Sequence, residues 1–275
     1  MIVYAIAIIF SIMMVLPLSP FVYRAHYGLA IILGLFFVIS ALYNLFAFPF
    51  SPSAPFKVHF KQTLDIENNN STVYLGGVRL FLEHPIVDSI PSSHFNKVTC
   101  NEDFVRLPIW SCHWTGALPN LTLSSNQKPF SFAVERLANS STTDTEAIAR
   151  FTIKGVNTRA CRIYFDRSIE YVRVHGASHD GSLQPGYEYE PDPEGTTTIK
   201  LWSRTWDPKF VVDVGLGKSS SNQPRTRTGR VACEYSENLD GRIPALEEIG
   251  LFLPGWAVVT KQDDGLVEAY HNFKL

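Results

Sequence analysis

The apolar positions fall into two regimes. From Leu29 to Phe48 the chain runs twenty residues without a charge, and thirteen of them are Leu, Ile, Val or Phe. A helix rising 1.5 Å per residue covers about 30 Å in that length, the thickness of a bilayer's hydrocarbon core. At about −0.3 to −0.6 kcal/mol each near the helix centre, these side chains outweigh the single Asn44. A core helix of a soluble domain seldom runs so long without a polar face. The pattern therefore predicts a membrane span over 29–48. Ile2–Leu18 is a second apolar stretch, interrupted at Pro17. No Lys or Arg precedes it and no small-x-small site ends it, so it reads as a short span rather than a cleaved signal peptide. The link Ser19–Gly28 carries Arg24 and His26. The positive-inside tendency sets this turn in the cytosol and sends the chain after Phe48 to the luminal side. Residues 1–50 thus read as a helical hairpin, of the kind that ends a longer multi-span chain.

Beyond it the period changes to two. Pro49, Pro52 and Pro55 stop the helix. In Phe56–Ile66, Phe56, Val58 and Phe60 alternate with Lys57, His59 and Lys61, a strand with one buried face. Asn68–Ser71 is its turn, and Thr72–Leu75 begins the returning strand. Further strands are expected at Phe130–Leu137, Ala149–Lys154, Ala160–Phe165, Tyr171–His175, Thr196–Ser203, Lys209–Val214 and Gly229–Tyr235. All are short, rich in β-branched or aromatic residues, and punctuated by Gly, Pro, Asn or Asp. One short helix is expected at Ile243–Phe252, with Pro244 in its first turn. Trp256–Thr260 and Gly265–Phe273, split by Asp263, Asp264 and Gly265, read as a closing hairpin. The fold class that follows is a membrane-anchored, mainly β chain: two N-terminal transmembrane helices, then a luminal β-sandwich-like domain over 51–275. A polar cluster at 139–148 would divide that domain if it has two subdomains.

Charge sharpens the division. Of the 50 charged residues only Arg24 lies before position 51, and no Lys/Arg run exists that would follow a phosphate backbone. Nucleic acid is therefore not an expected partner; the lipid bilayer is. Cys100, Cys112, Cys161 and Cys233 all lie in the polar part, without a Cys-x-x-Cys pair, and suggest two disulfides in an oxidising compartment. Four cysteines allow three pairings, and the sequence alone does not choose. Sequons at Asn69, Asn70, Asn120 and Asn139 also favour a luminal domain carrying N-glycans.

Candidate chemistry is sparse. The chain holds no His-Glu-x-x-His, no Gly-x-Ser-x-Gly and no phosphate-binding Gly-x-x-x-x-Gly-Lys-Ser/Thr. His175, His179 and Asp180 invite a metal reading, but Gly176 and Gly181 beside them point to a loop. Glu188, Glu190, Asp192 and Glu194 lack the Asp-x-Asp-x-Asp-Gly pattern of a calcium loop and read as a solvated acidic run. Trp202, Trp206 and Trp256 could build a sugar-stacking platform; as strand aromatics they are more readily core. No catalytic and no metal-ligating residue is assigned.

Phe48–Ser51 followed by KVHFKQTLDI, then VTCNEDF, SCHWTGALPN, ARFTIKGVNTRACRIYFD, IKLWSRTWDPKFVVDV, GRVACEY, IPALEEIGLFLPGWAVVTK and DGLVEAYHNFKL, together resemble the last membrane helix and luminal tail of the fungal vacuolar membrane proteases. Members of that family are similar to zinc aminopeptidase-type metallopeptidases. The resemblance implies a C-terminal piece at the vacuolar membrane, with zinc expected only in a peptidase domain outside these residues. No catalytic residue carries over. The implied role is a non-catalytic anchor and accessory domain for a peptidase domain in cis or in trans; a self-standing lectin-like module is the alternative. Cys100 and Cys112 flank one loop and pair locally, leaving Cys161 with Cys233 on facing strands of the sandwich. The resemblance supports that pairing, since the corresponding family blocks carry cysteines.

Overall fold

The computed structural model describes residues 27–103, 109–121, 128–137, 148–176, 187–189, 195–215, 227–236, 242–262 and 265–275. The chain divides into two compact units, Met1–Phe50 and Ser51–Leu275. The first contains α1 (Tyr27–Phe46), 20 residues without an acid in its first turn or a base in its last. Five consecutive side chains, Leu35–Ile39, are each more than half exposed, and they sweep more than a full turn of the axis. Asn44 is satisfied locally, its amide donating to the Ser40 carbonyl at 2.8 Å. The side chains at 29, 30 and 45 are outside the described set. Over those that remain, no helix is long and apolar enough to cross a membrane. The span expected at 2–18 and the turn at Arg24 also lie outside the described residues.

The second unit begins with β1 (Phe56–Asp65), β2 (Asn70–Gly77), α2 (Arg79–Leu82), a 3-10 turn at Val87–Ser89, α3 (Pro91–Phe95), β3 (Thr99–Asp103) and β4 (Ile109–Thr115). It continues with β5 (Phe130–Leu137), β6 (Ile148–Gly155), β7 (Ala160–Ile169), β8 (Tyr171–His175), β9 (Tyr187–Tyr189), β10 (Thr196–Trp202), β11 (Lys209–Gly215) and β12 (Thr228–Tyr235). The last elements are α4 (Pro244–Phe252), β13 (Ala257–Lys261) and β14 (Val267–Lys274). Two sheets result. The larger has nine strands in the order β10-β7-β12-β14-β1-β2-β4-β3, with β13 also on β1; the smaller has five, β5-β6-β11-β8-β9.

Alternation decides which side chains meet. On β1, Phe56, Val58 and Phe60 are buried while Lys57 between them is exposed, as a pleated strand with one covered face requires. The two sheets pack through an edge-to-face cluster of Phe151 from β6 with Phe165 from β7 and Phe273 from β14, at centroid distances of 5.7 and 5.1 Å. Phe132 adds an edge contact to His271 at 5.0 Å. Tyr235 crosses the same core, its hydroxyl donating to the Pro129 carbonyl at 2.7 Å, and burial pushes its phenol pKa up. β12 lies tight against β7: a Cβ on Gly229 would stand 2.2 Å from the Tyr164 carbonyl oxygen, so only glycine fits.

Three expectations need correction. The chain end is not a hairpin. β13 and β14 both pair in parallel with β1, at Phe56–Phe60 and Gln62–Asp65 respectively, so they run end to end along one strand. The domain also has more than one short helix: α2, α3 and the 3-10 turn join α4. α3 starts with Pro91 at its first position, where the missing N–H costs nothing. The disulfides Cys100–Cys112 and Cys161–Cys233 join neighbouring antiparallel strands of the larger sheet, not strands facing across the sandwich. In each bridge the two cysteines stand directly opposite in register. Their Cα atoms are 4.0 Å apart, the close spacing of a non-hydrogen-bonded cross-strand pair.

Candidate functional site

The outer face of the larger sheet gathers its charges at the centre. Glu234 on β12 and Glu268 on β14 stand directly opposite each other in the ladder. They are only 5% and 1% exposed. Like charges so placed repel, and cations from three strands offset them. Lys61 of β1 pairs with Glu268 at 2.5 Å and Arg230 of β12 approaches it at 3.5 Å. Arg162 of β7 pairs with Glu234 at 2.9 Å. Arg230 also lies over the rings of Tyr164 and Tyr270, at 4.4 and 5.3 Å. Both carboxylates are thus committed to cations, which does not suit a proton-transfer pair.

Shallow hollows flank this cluster. One, of about 260 Å3, is lined by Arg159, Trp202, Trp206, Glu234, Ser236 and Lys261. Trp202 and Trp206 are 58% and 46% exposed, which corrects the expectation of core packing. Trp202 leaves the sheet on its outer face because the inner face of β10 is already filled by Ile199 and Leu201. The Arg159 guanidinium stands 5.5 and 5.1 Å from the two rings and donates to the Arg204 carbonyl. Trp256 belongs elsewhere, packed against Phe56 and Phe81. A second hollow, of about 380 Å3, includes Lys61, Tyr74, His113 and Arg230, and there Tyr74 stacks on His113 at 5.5 Å.

The smaller sheet carries a different arrangement. Glu135, Arg150, Asp213, Arg173 and Glu188 stand in one register row across all five strands, alternating in sign. At its centre Arg150 donates from Nε and Nη2 to the two oxygens of Asp213, at 2.6 and 2.8 Å. His175 Nε2 lies 2.7 Å from Asp213 Oδ2. Burial alone would raise the Asp213 pKa, but the bonds and charges of Arg150 and His175 bring it below the ordinary carboxylate value. The same contacts raise the Arg150 pKa. His175 therefore ends a strand and serves this ion network rather than sitting in a loop. His179 and Asp180 lie outside the described residues, as do Glu190, Asp192 and Glu194. Among the described residues no group of three or more His, Cys, Asp or Glu could hold a metal ion.

Asn69, Asn70 and Asn120 are all exposed. Asn69 turns the β1–β2 connection with a positive φ of 50°, and Asn120 bridges Arg242 through its backbone. Asn139 lies outside the described residues. The two ion clusters escaped sequence reasoning. Their traces were lone acids within apolar strands: Glu234 in VACEY and Glu268 in LVEAY for the first cluster, and Asp213 in FVVDVG for the second.

A family model described as the C-terminal domain of vacuolar membrane protease matches residues 56–269. Relatives named vacuolar membrane protease align over nearly the whole chain. The protein from Schizophyllum commune is 37% identical across 99% of this chain and 29% of its own length. Those from Arthroderma otae and Ajellomyces capsulatus are 36% and 32% identical, each across 100% of this chain and 26% and 29% of their own lengths. This chain therefore spans under a third of these relatives, whose name gives the family's location, the vacuolar membrane. By the family model and the relatives alike, this chain belongs to the vacuolar membrane protease family and matches its C-terminal domain.

Proposed function

We propose that this chain is a non-catalytic membrane anchor and luminal accessory domain of a vacuolar membrane metalloprotease. The observation that carries this reading is the match to the C-terminal domain alone, over 56–269, within relatives more than three times as long. The buried ion clusters support it, because their carboxylates are held by Lys61, Arg150 and Arg162. Purified chain supplied with zinc is expected to hydrolyse no peptide, since the described residues hold no ligand set to lower the pKa of a bound water. Put in place of the C-terminal domain of the Schizophyllum commune relative, it is expected to sustain whatever peptidase activity that protein has. Zinc-dependent turnover by the chain alone, lost on His175→Ala, would reverse the assignment.

For the anchor, α1 is apolar around its whole circumference, which calls for lipid or protein to cover it. Its sequence over 29–48 has the length and composition of a span. The hairpin 1–50 would hold 51–275 on the luminal side, with glycans on Asn69 or Asn70, Asn120 and Asn139. External protease is expected to leave 51–275 intact in sealed microsomes, and glycosidase to increase its gel mobility. Digestion without detergent would invert the topology.

The lectin-like alternative has one feature in its favour, the exposure of Trp202 and Trp206 beside Glu234 and Ser236. Arg159 already stacks over both rings, which leaves it the weaker reading. Glycan binding abolished by Trp202→Ala would reverse that order.

A further inference from the structure

The hollow beside Trp202 owes its shape to one register row. On the outer face of the larger sheet, Trp202, Ala160 and Glu234 stand side by side across β10, β7 and β12. The small Ala160 leaves a depression between an indole and a carboxylate, and Arg159, Trp206, Ser236 and Lys261 complete its lining. The floor is committed, since Glu234 is buried and pairs with Arg162 at 2.9 Å. The rim is not: among the described residues, no ion pair ties Arg159 or Lys261 to an acid.

The tryptophan wall is held in place. Trp206 lies in the connection from β10 to β11, which is fastened to the turn between β6 and β7. The Ser203 N–H donates to the Arg159 carbonyl at 2.9 Å, and the Asp207 N–H to the Thr158 carbonyl at 3.2 Å. In the other direction, the Asn157 N–H donates to Asp207 Oδ1 at 2.6 Å, and Arg159 Nη2 to the Arg204 carbonyl. Thr158 is fully buried, and its hydroxyl ties the turn to β12 by donating to the Glu234 carbonyl at 2.5 Å. Inside the connection, the Thr205 N–H donates to Ser203 Oγ at 3.2 Å. Both indoles nonetheless stay about half exposed. Aromatic surface kept open on a fixed frame loses little conformational entropy when a ligand lands on it.

These groups select a ligand by charge and by shape. Two indole surfaces suit an apolar body. Arg159, 5.5 and 5.1 Å from the two rings, keeps donors that the Arg204 carbonyl does not engage, and a planar guanidinium matches a carboxylate. Lys261 adds a second positive charge at the rim. Both repel a cation, and a neutral sugar would meet neither charge with one of its own. At about 260 Å3 the hollow is smaller than the roughly 300–1,000 Å3 of sites for drug-sized ligands, so it has room for one residue or one small acid. We propose that this hollow binds a carboxylate carried on an apolar group, supplied by the C-terminal residue of a peptide or by a free aryl acid. The carboxylate pairs with Arg159 and Lys261, and the apolar group lies against Trp202 and Trp206. The inference is independent of the reading of α1 as an anchor.

The test titrates detergent-solubilised full chain with acetyl-Ala-Phe, its C-terminal amide and 3-phenylpropionate, read by calorimetry. Acetyl-Ala-Phe is expected to bind, its amide to bind about tenfold more weakly, and added salt to weaken only the acid. Lys261→Glu and Trp206→Ala both alter exposed positions, so their thermal midpoints are expected to match that of the unaltered chain. The first is expected to weaken the acid about tenfold by reversing one rim charge, and the second to abolish its binding. Binding of 3-phenylpropionate as tight as that of the peptide assigns the site to small acids, and binding of the peptide alone assigns it to chain ends. Equal affinity for acid and amide overturns the proposal, as does acid binding that both variants leave intact. Failure of both acids to bind overturns it as well, and a neutral oligosaccharide bound in their stead and lost in Trp206→Ala would give the hollow to the lectin-like reading.

Discussion

Cys233→Ala is expected to destabilise the 51–275 domain by about 4 kcal/mol, and Cys112→Ala by about 3 kcal/mol. The difference lies in what each bridge holds when the chain is unfolded. Cys161–Cys233 spans 72 residues and Cys100–Cys112 only 12, so the first removes more freedom from the unfolded chain. The 72-residue loop also contains β8, β9 and β11, three of the five strands of the smaller sheet. The bridge therefore restrains the return of the chain after that sheet is built. The native side of the balance is similar, because Cys112, Cys161 and Cys233 are all 0% exposed. Thermal unfolding of detergent-solubilised full chain checks the ranking, with a midpoint drop of about 10 °C expected for Cys233→Ala. Equal or inverted losses would defeat the loop-length account. A non-reduced digest linking Cys100 to Cys161 would defeat the pairing itself.

The second large effect is expected at Asp213. Replacing it by Ala leaves Arg150 and His175 facing each other without the carboxylate that both contact, a change that costs about 3 kcal/mol. Asp213→Asn keeps the shape and loses the charge, so it isolates the electrostatic part. The sign with pH follows from the lowered pKa. A carboxylate whose folded pKa is depressed stabilises the fold above its unfolded value of about 4, and loses that contribution as pH falls through the folded value. Denaturant unfolding is expected to show the full gap between the unaltered chain and Asp213→Asn at pH 7, closing below about pH 4. A gap that stays constant down to pH 3 would count against the network.

Much of this fold was legible because its strands alternate. Phe56–Phe60 could be read from three buried and two polar positions, and Phe130–Leu137 and Tyr171–His175 match the observed strands end to end. Pro244 marked the start of α4 for the reason it does elsewhere, a missing N–H that no helix needs there. What escaped was information held between strands. Nothing local tells that Ala257–Lys261 and Val267–Lys274 run parallel to a shared neighbour rather than pair with each other; only their pairing with β1 does. The charged row from Glu135 to Glu188 exists because five strands share a register, and each member alone looks like an ordinary outward residue. Likewise Glu234 and Glu268 become a site only once β12 and β14 are aligned. α2 and α3 escaped because four and five residues are too few to establish a helical period.

The parallel seating of β13 and β14 against β1 has a consequence for biosynthesis. The first strand of the domain to emerge from the ribosome waits for partners more than 200 residues downstream, as the contact between Tyr270 and Asp65 illustrates. Until those residues arrive, β1 and β2 form an early hairpin with one open edge, and an unpaired edge invites pairing with other chains. Pairings of such long sequence separation are also slow to form. The larger sheet therefore closes only once β14 has been made, and a chain lacking Val267–Lys274 would keep an open seam through its middle, where β14 joins β12 to β1.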